Sequence, residues 1–233
     1  GDVYKRQPLT LPMNVQLITK QGEQGELPLS IPAERIGDQV TAAGIPFAIA
    51  KDGKNALRLA GQTLTLKKDT RRLALLLSAD SNRILDFTVG GKTVPCSVLS
   101  RTRRFASWDL YDLHETAHIQ EGQLGYVSTH SHNADGTDAI AKELYFYILI
   151  LNVQGGDTVV LPRDEETLVL AATELNTVAV PCVTPLYDRV EDRPFDYTMR
   201  LGDKLRYLRM KLPWYMGDKG RYFSCYNRGR ERE

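Results

Sequence analysis

The four histidines of the chain fall into two pairs, His114 and His118 in "HETAH", and His130 and His132 in "GYVSTHSHN". The first string matches H-E-x-x-H. On a helix that spacing puts both imidazoles on one face to hold zinc, with the glutamate beside the metal-bound water as general base. The chemistry requires a helix and a third ligand. The surrounding "LYDLHETAHIQEGQLGYV" has no sustained helical apolar stripe, contains Gly122 and Gly125, and runs into a strand pattern. His114, Glu115 and His118 are therefore set aside as a metal site. A small zinc hydrolase built on them remains the rival reading.

His130 and His132 are placed better, because residues i and i+2 of a strand point to the same side. "GYVSTHSHN" reads as a sandwich strand and its exit loop, with both rings on one side. A His-x-His pair supplies two metal ligands at most, and the sequence shows no third or fourth, so no metal is assigned to this chain. Solvation on a polar surface, or hydrogen bonds to the loop "NADGTD", is the plain expectation for the pair, and a carbohydrate-facing or domain-facing role is the alternative.

Glycoside hydrolysis without metal needs two positioned carboxylates. Asp109 and Asp112 lie beside Trp108 and Tyr111, aromatic rings of the kind that stack on sugars, whereas Asp164, Glu165 and Glu166 follow Pro162 and read as a solvated hairpin turn. No G-x-S-x-G elbow, G-x-x-x-x-G-K-[ST] or G-x-G-x-x-G is present, and no cysteine lies near a histidine in sequence. Nucleophilic triads and nucleotide cradles therefore have no support.

These residues must be positioned by a chain of 233 residues with 30 basic and 29 acidic side chains. A net charge of +1 creates no field that would recruit nucleic acid or an anionic membrane. Three scattered cysteines, Cys96, Cys182 and Cys225, form neither a disulfide framework nor a C-x-x-C clip. The longest apolar run, Leu144 to Leu151, is far shorter than a membrane helix. The opening "GDVYKRQ" reverse-translates to a transposase adapter of sequencing libraries, so residues 1–7 are read as an adapter scar and the chain is expected to start within a longer gene.

The periodicity is that of strands. In "ILDFTVGGKTVPCSV", Leu85, Phe87 and Val89 alternate with polar residues, Gly90-Gly91 provides a two-residue turn, and Val94, Cys96 and Val98 resume the alternation. Pro95, which lacks a donor, puts the second strand at a sheet edge. Further strands are expected at 55–59, 62–66, 72–77, 125–130, 142–153, 158–161 and 167–172. In "KELYFYILILNV" both faces are apolar, which marks a central strand. The pattern predicts an all-β chain, an antiparallel β-sandwich or jelly roll of galactose-binding-like type over residues 8–185. Residues 186–233 form a basic, irregular or partly helical tail. From Tyr197 onward it has ten Lys or Arg against four Asp or Glu, with aromatics between them. Such a mixture could bind nucleic acid, a second rival reading, but a solvated tail is the expectation.

The blocks "GIPFAI" (44–49), "NALRLAGQTLTL" (55–66), "RRLALLLSAD" (71–80), "FTVGGKTV" (87–94), "WDLYDL" (108–113), "LGYVSTHSHNADG" (124–136), "ELYFYILIL" (143–151), "TVVLPRDEETLVLAAT" (158–173) and "PLYD" (185–188) follow one another in order. Together they resemble the C-terminal β-sandwich region of bacterial α-mannosidase-like proteins of glycoside hydrolase family 38. The resemblance implies that a zinc ion and an aspartate nucleophile belong to an N-terminal catalytic domain outside this chain, and that the sandwich itself has no catalytic residue and no cofactor. His114 stands where the family tends to carry glycine, which accounts for the H-E-x-x-H match as chance.

The expected function is that of a non-catalytic, carbohydrate-binding-like accessory sandwich of a truncated enzyme. Its partners would be the missing catalytic domain and mannose-containing glycans, with neither nucleic acid nor membrane among them. Trp108, Asp109, Tyr126, His130 and His132 are the residues expected to face a glycan or that domain. The parent is expected to be bacterial, with its cellular location left open.

Overall fold

The computed structural model describes residues 6–102, 106–109, 114–119, 122–140, 142–177 and 197–198, and within 106–109, 114–119 and 197–198 it describes the backbone alone. Nineteen strands follow one another among these residues. The first seven are β1 (Arg6–Leu9), β2 (Ile18–Thr19), β3 (Leu29–Pro32), β4 (Gln39–Ala42), β5 (Ile45–Ala48), β6 (Leu57–Ala60) and β7 (Thr63–Thr65). Then come β8 (Arg72–Ser78), β9 (Arg83–Val89), β10 (Lys92–Val98), β11 (Ala106–Asp109), β12 (His114–Ile119) and β13 (Gln123–Val127). The last six are β14 (Ser131–Asn133), β15 (Asp138–Ala139), β16 (Tyr145–Asn152), β17 (Thr158–Val160), β18 (Arg163–Leu175) and β19 (Tyr197–Thr198). The one described helical turn is a 3-10 turn at Ala33–Arg35.

The organising layer is a six-stranded antiparallel sheet ordered β1-β18-β8-β16-β13, with β6 also paired to β18. Both of its faces are buried. Along β8, Leu73, Leu75 and Leu77 enter one apolar cluster while Ala74 and Leu76 enter another. That is why "RLALLLS" is apolar throughout instead of alternating with polar residues. The first cluster fills the space against a four-stranded sheet, β10-β9-β17-β7, which contributes Phe87, Val89, Val98 and Val159. The second lies under Leu17, Ile18, Ile31, Ile45 and Phe47 from the β2 to β5 region. In β18 the register shifts between Val169 and Ala171. The extra residue lets Leu170 and Ala171 join the same cluster, and Val169 and Ala172 the opposite one.

The β9–β10 hairpin forms as its sequence predicts, with Gly90 and Gly91 at φ 53° and 79° in the left-handed region that the tight turn demands. β10 is an edge strand, and pairing with β9 runs through Pro95 without a register shift, so its nitrogen faces away from the sheet. β16 lies inside the large sheet between β8 and β13.

Two expectations need correction. Asp164, Glu165 and Glu166 belong to β18, not to a solvated turn. Asp164 is bound by Arg83 at 2.8 Å, and Glu166 also pairs with Arg83, so the acidic run is stabilised on the strand by a cation from β9. His132 lies in strand β14, not in an exit loop, and His130 lies between strands, because the chain leaves β13 after Val127 and starts a strand of another sheet at Ser131. Within this antiparallel architecture the short β2 and β3 run parallel. Arg6 and Gln7, which the adapter-like start would set aside, form the first half of β1 opposite Leu175 and Glu174.

A sheet buried on both faces makes a direct prediction. Leu75→Ala and Leu76→Ala, whose side chains enter opposite clusters, should each lower the unfolding free energy by about 2–5 kcal/mol in urea titrations. A sheet with one wet face would leave one of the two near neutral.

Candidate functional site

The small sheet β15-β14-β3-β2 brings the polar side chains together. Its registers set Asp138 of β15 directly opposite His132, and Ser30 of β3 opposite His132 on the other side. Directly opposed residues of neighbouring strands project to the same face, so Asp138, His132 and Ser30 form a row across the sheet. β3 runs antiparallel to β14, so beyond Pro32 the chain passes the His130 end, and the 3-10 turn there delivers Glu34.

The resulting geometry is close. His132 Nε2 lies 3.3 Å from Glu34 Oε1 and 3.6 Å from Asp138 Oδ1. His130 Nε2 lies 3.9 Å and 3.8 Å from the same two oxygens. The two ring centroids are 5.6 Å apart. The His132 side chain is fully buried, that of His130 is 16% exposed, and the carboxylates of Glu34 and Asp138 are partly open to solvent. Solvation of the histidine pair on a polar surface is thus replaced by burial beneath two acids.

Each imidazole is oriented from behind. His132 Nδ1 is 3.0 Å from Thr19 Oγ1, which is 2.6 Å from Ser30 Oγ. His130 Nδ1 is 3.0 Å from Thr129 Oγ1. Burial lowers the affinity of His130 for a proton, and the nearby acids Asp138 and Glu34 only partly oppose that effect. Tyr126, half-buried on β13, has its phenol pushed well above its ordinary value by burial and then by the charge of Glu34, so it stays protonated.

Two features of the scaffold hold this row. Asn55, fully buried, accepts hydrogen bonds from the backbone N–H groups of Leu17 and Ile18, both at 2.8 Å, and donates to the carbonyls of Ile18 and Lys51 at 2.8 Å and 3.1 Å. It fixes the strand that carries Thr19. Gly136, at φ 83° in the β14–β15 turn, packs so tightly that an added Cβ would come within 2.6 Å of the Gly22 carbonyl carbon.

Of the residues singled out in the sequence, the structure brings His130 and His132 together, and Tyr126 lies within reach of the charge of Glu34. Asp138 ends the loop "NADGTD" named as a partner of the pair, whereas Glu34, Thr19 and Ser30 carried no local signature that would have found them. The side chains of Trp108, Asp109, His114, Glu115 and His118 lie outside the described residues, as do Tyr111, Asp112 and most of the basic tail. The backbone of His114–Ile119 is strand β12, paired with β11 and β19, so the helix that H-E-x-x-H chemistry requires is not formed.

Two packed layers of mostly antiparallel sheet around apolar clusters define an all-β sandwich protein. A family profile for the AziU2-like β-sandwich domain matches residues 5–178, and the chain belongs to that family. Among solved structures it is similar to the catalytic unit of a thermostable GH87 α-1,3-glucanase from Streptomyces thermodiastaticus strain HF3-3, at 16% identity and a TM-score of 0.30. That likeness covers 69% of this chain and 28% of the other, so the chain spans about a quarter of the glucanase unit, and at this score it carries no argument about function. A search of the curated proteins finds no match. The family assigned is that of a β-sandwich domain, which is coarser than an α-mannosidase parent.

If Asn55 anchors the strand behind the site, Asn55→Leu should strand two buried N–H groups and lower stability by roughly 3 kcal/mol, read by calorimetry. A change within experimental error would mean that water replaces the amide.

Proposed function

We propose that the chain is a non-catalytic, carbohydrate-binding-like accessory module of a larger glycoside hydrolase of the α-mannosidase-like kind, packing against its catalytic domain and bordering the substrate cleft. The observation that supports this reading best is the opening of the site: the partly exposed carboxylates of Glu34 and Asp138 above two buried imidazoles, beside the protonated phenol of Tyr126. Carboxylates accept hydrogen bonds from vicinal hydroxyls, and a phenol that stays protonated donates one in return. Trp108 would add an apolar ring for a sugar face. The β-sandwich family is compatible with this reading, and the order of the sequence blocks resembles an accessory region that leaves bond cleavage to another domain.

The test is titration of the whole chain with α-mannosides, backed by a glycan array. Binding should appear and fall at least about tenfold, or roughly 1.4 kcal/mol, in Glu34→Gln and in Trp108→Ala. Absence of binding to every glycan, or binding indifferent to both changes, would end the carbohydrate part of the reading.

A further inference from the structure

His132 contains an unexplained atom. Its side chain is fully buried, and Nε2 has no hydrogen-bond partner among the described residues. A buried polar atom left unpaired costs about 1–3 kcal/mol. In the tautomer whose Nδ1–H donates to Thr19 Oγ1, Nε2 bears a lone pair, and that lone pair meets carboxylate oxygens of Glu34 and Asp138 at 3.3 Å and 3.6 Å. Three acceptors thus converge with no donor between them. His130 adds a fourth donor atom for a cation from the same side, and the ligand atoms of Glu34, His130 and His132 all lie within 4.8 Å of one another.

We propose that this cluster binds one first-row divalent transition cation, zinc in the first place, through His130 Nε2, His132 Nε2 and the Glu34 carboxylate, with Asp138 as the fourth ligand. Four ligands about 2.0–2.1 Å from a tetrahedral zinc are separated from one another by roughly 3.3–3.4 Å. The two imidazole-to-Glu34 separations are 3.3 Å and 3.9 Å, and the two to Asp138 are 3.6 Å and 3.8 Å. A contraction of about half an ångström brings these four edges to the tetrahedral value, and the ligand atoms of Glu34, His130 and His132 lie within 4.8 Å of one another. Two imidazole nitrogens select against calcium and magnesium, which prefer all-oxygen shells.

The surroundings fit as well as the ligands. The ring nitrogen of each histidine remote from the cluster is hydrogen-bonded to a threonine hydroxyl, Thr19 or Thr129, which orients the ring and can accept a hydrogen bond from Nδ1–H when Nε2 binds a metal. The partly exposed carboxylates provide the path by which an ion enters. The site owes nothing to the H-E-x-x-H match.

The experiment uses the whole chain without a histidine tag, stripped with a chelator and then dialysed against zinc, manganese or calcium. Metal content is read by mass spectrometry and stability by thermal melting. The wild type should retain about one zinc per chain and melt several degrees higher with zinc than without it. His130→Gln and Glu34→Gln, both changes at partly exposed residues, should fold with the wild-type circular dichroism and lose nearly all of that zinc. Thr19→Val, which removes only the hydroxyl behind His132, should weaken zinc by about 10–100-fold while still filling at saturation. Wild-type protein without stoichiometric zinc would overturn the assignment. Zinc kept by the His130→Gln/Glu34→Gln double variant would place the ion elsewhere and overturn it too, and calcium bound as well as zinc would refute the ligand chemistry.

Discussion

Burial of one sheet on both faces is the constraint from which the rest of this structure follows. A leucine moved from water into such a core contributes about 1.5–3 kcal/mol, and β8 alone supplies Leu73, Leu75, Leu76 and Leu77 at 2% exposure or less. A sheet of that composition cannot stand in water on either side. One face is covered by the β9–β10 hairpin with β7 and β17. The other is covered by the β2 to β5 region, and that second cover carries the polar site on its own short strands. The site is thus built into a lid over the core, which is why its histidines are buried although the loops around them are polar.

The site itself is a product of register. Asp138 meets His132 because β15 pairs with β14 at that residue, and Glu34 arrives because β3 pairs antiparallel on the other side. A slip of one residue would turn His132 away from both acids. The tight turn at Gly136 and the fully satisfied amide of Asn55 are the elements that prevent that slip, one from the end of the strand pair and the other from beneath it. Neither touches the cluster, yet both determine where its atoms lie.

Legibility in the sequence followed the range of the interactions. The hairpin around Gly90-Gly91 and the interior position of β16 were readable because turn chemistry and two-faced apolarity are local signals. The strand character of Asp164–Glu166 was not, because a polar run is held in β18 by Arg83, some 80 residues away in sequence. The same holds for the site. His130 and His132 announce themselves through their spacing, but the strand expected to align them ends at Val127, and they meet across the bend that leads into β14. Their partners come from Glu34 in an unremarkable "PAER" and from Asp138 behind an Asn-Ala-Asp-Gly turn, and only pairing across about a hundred residues connects the first of them to the histidines. Thr19 is concealed in the same way, since a lone threonine shows its purpose only once β2 has docked.

Pro95 acquires a broader meaning from its place in β10. The outer rim of that strand has no partner among the described residues, and exposed rims are where one chain recruits another into a growing ribbon. By withholding a donor at the middle of the rim, Pro95 leaves an approaching strand with a gap in its ladder. Many copies crowded together, or tethered in tandem within a longer polypeptide, would therefore remain separate bodies on this side.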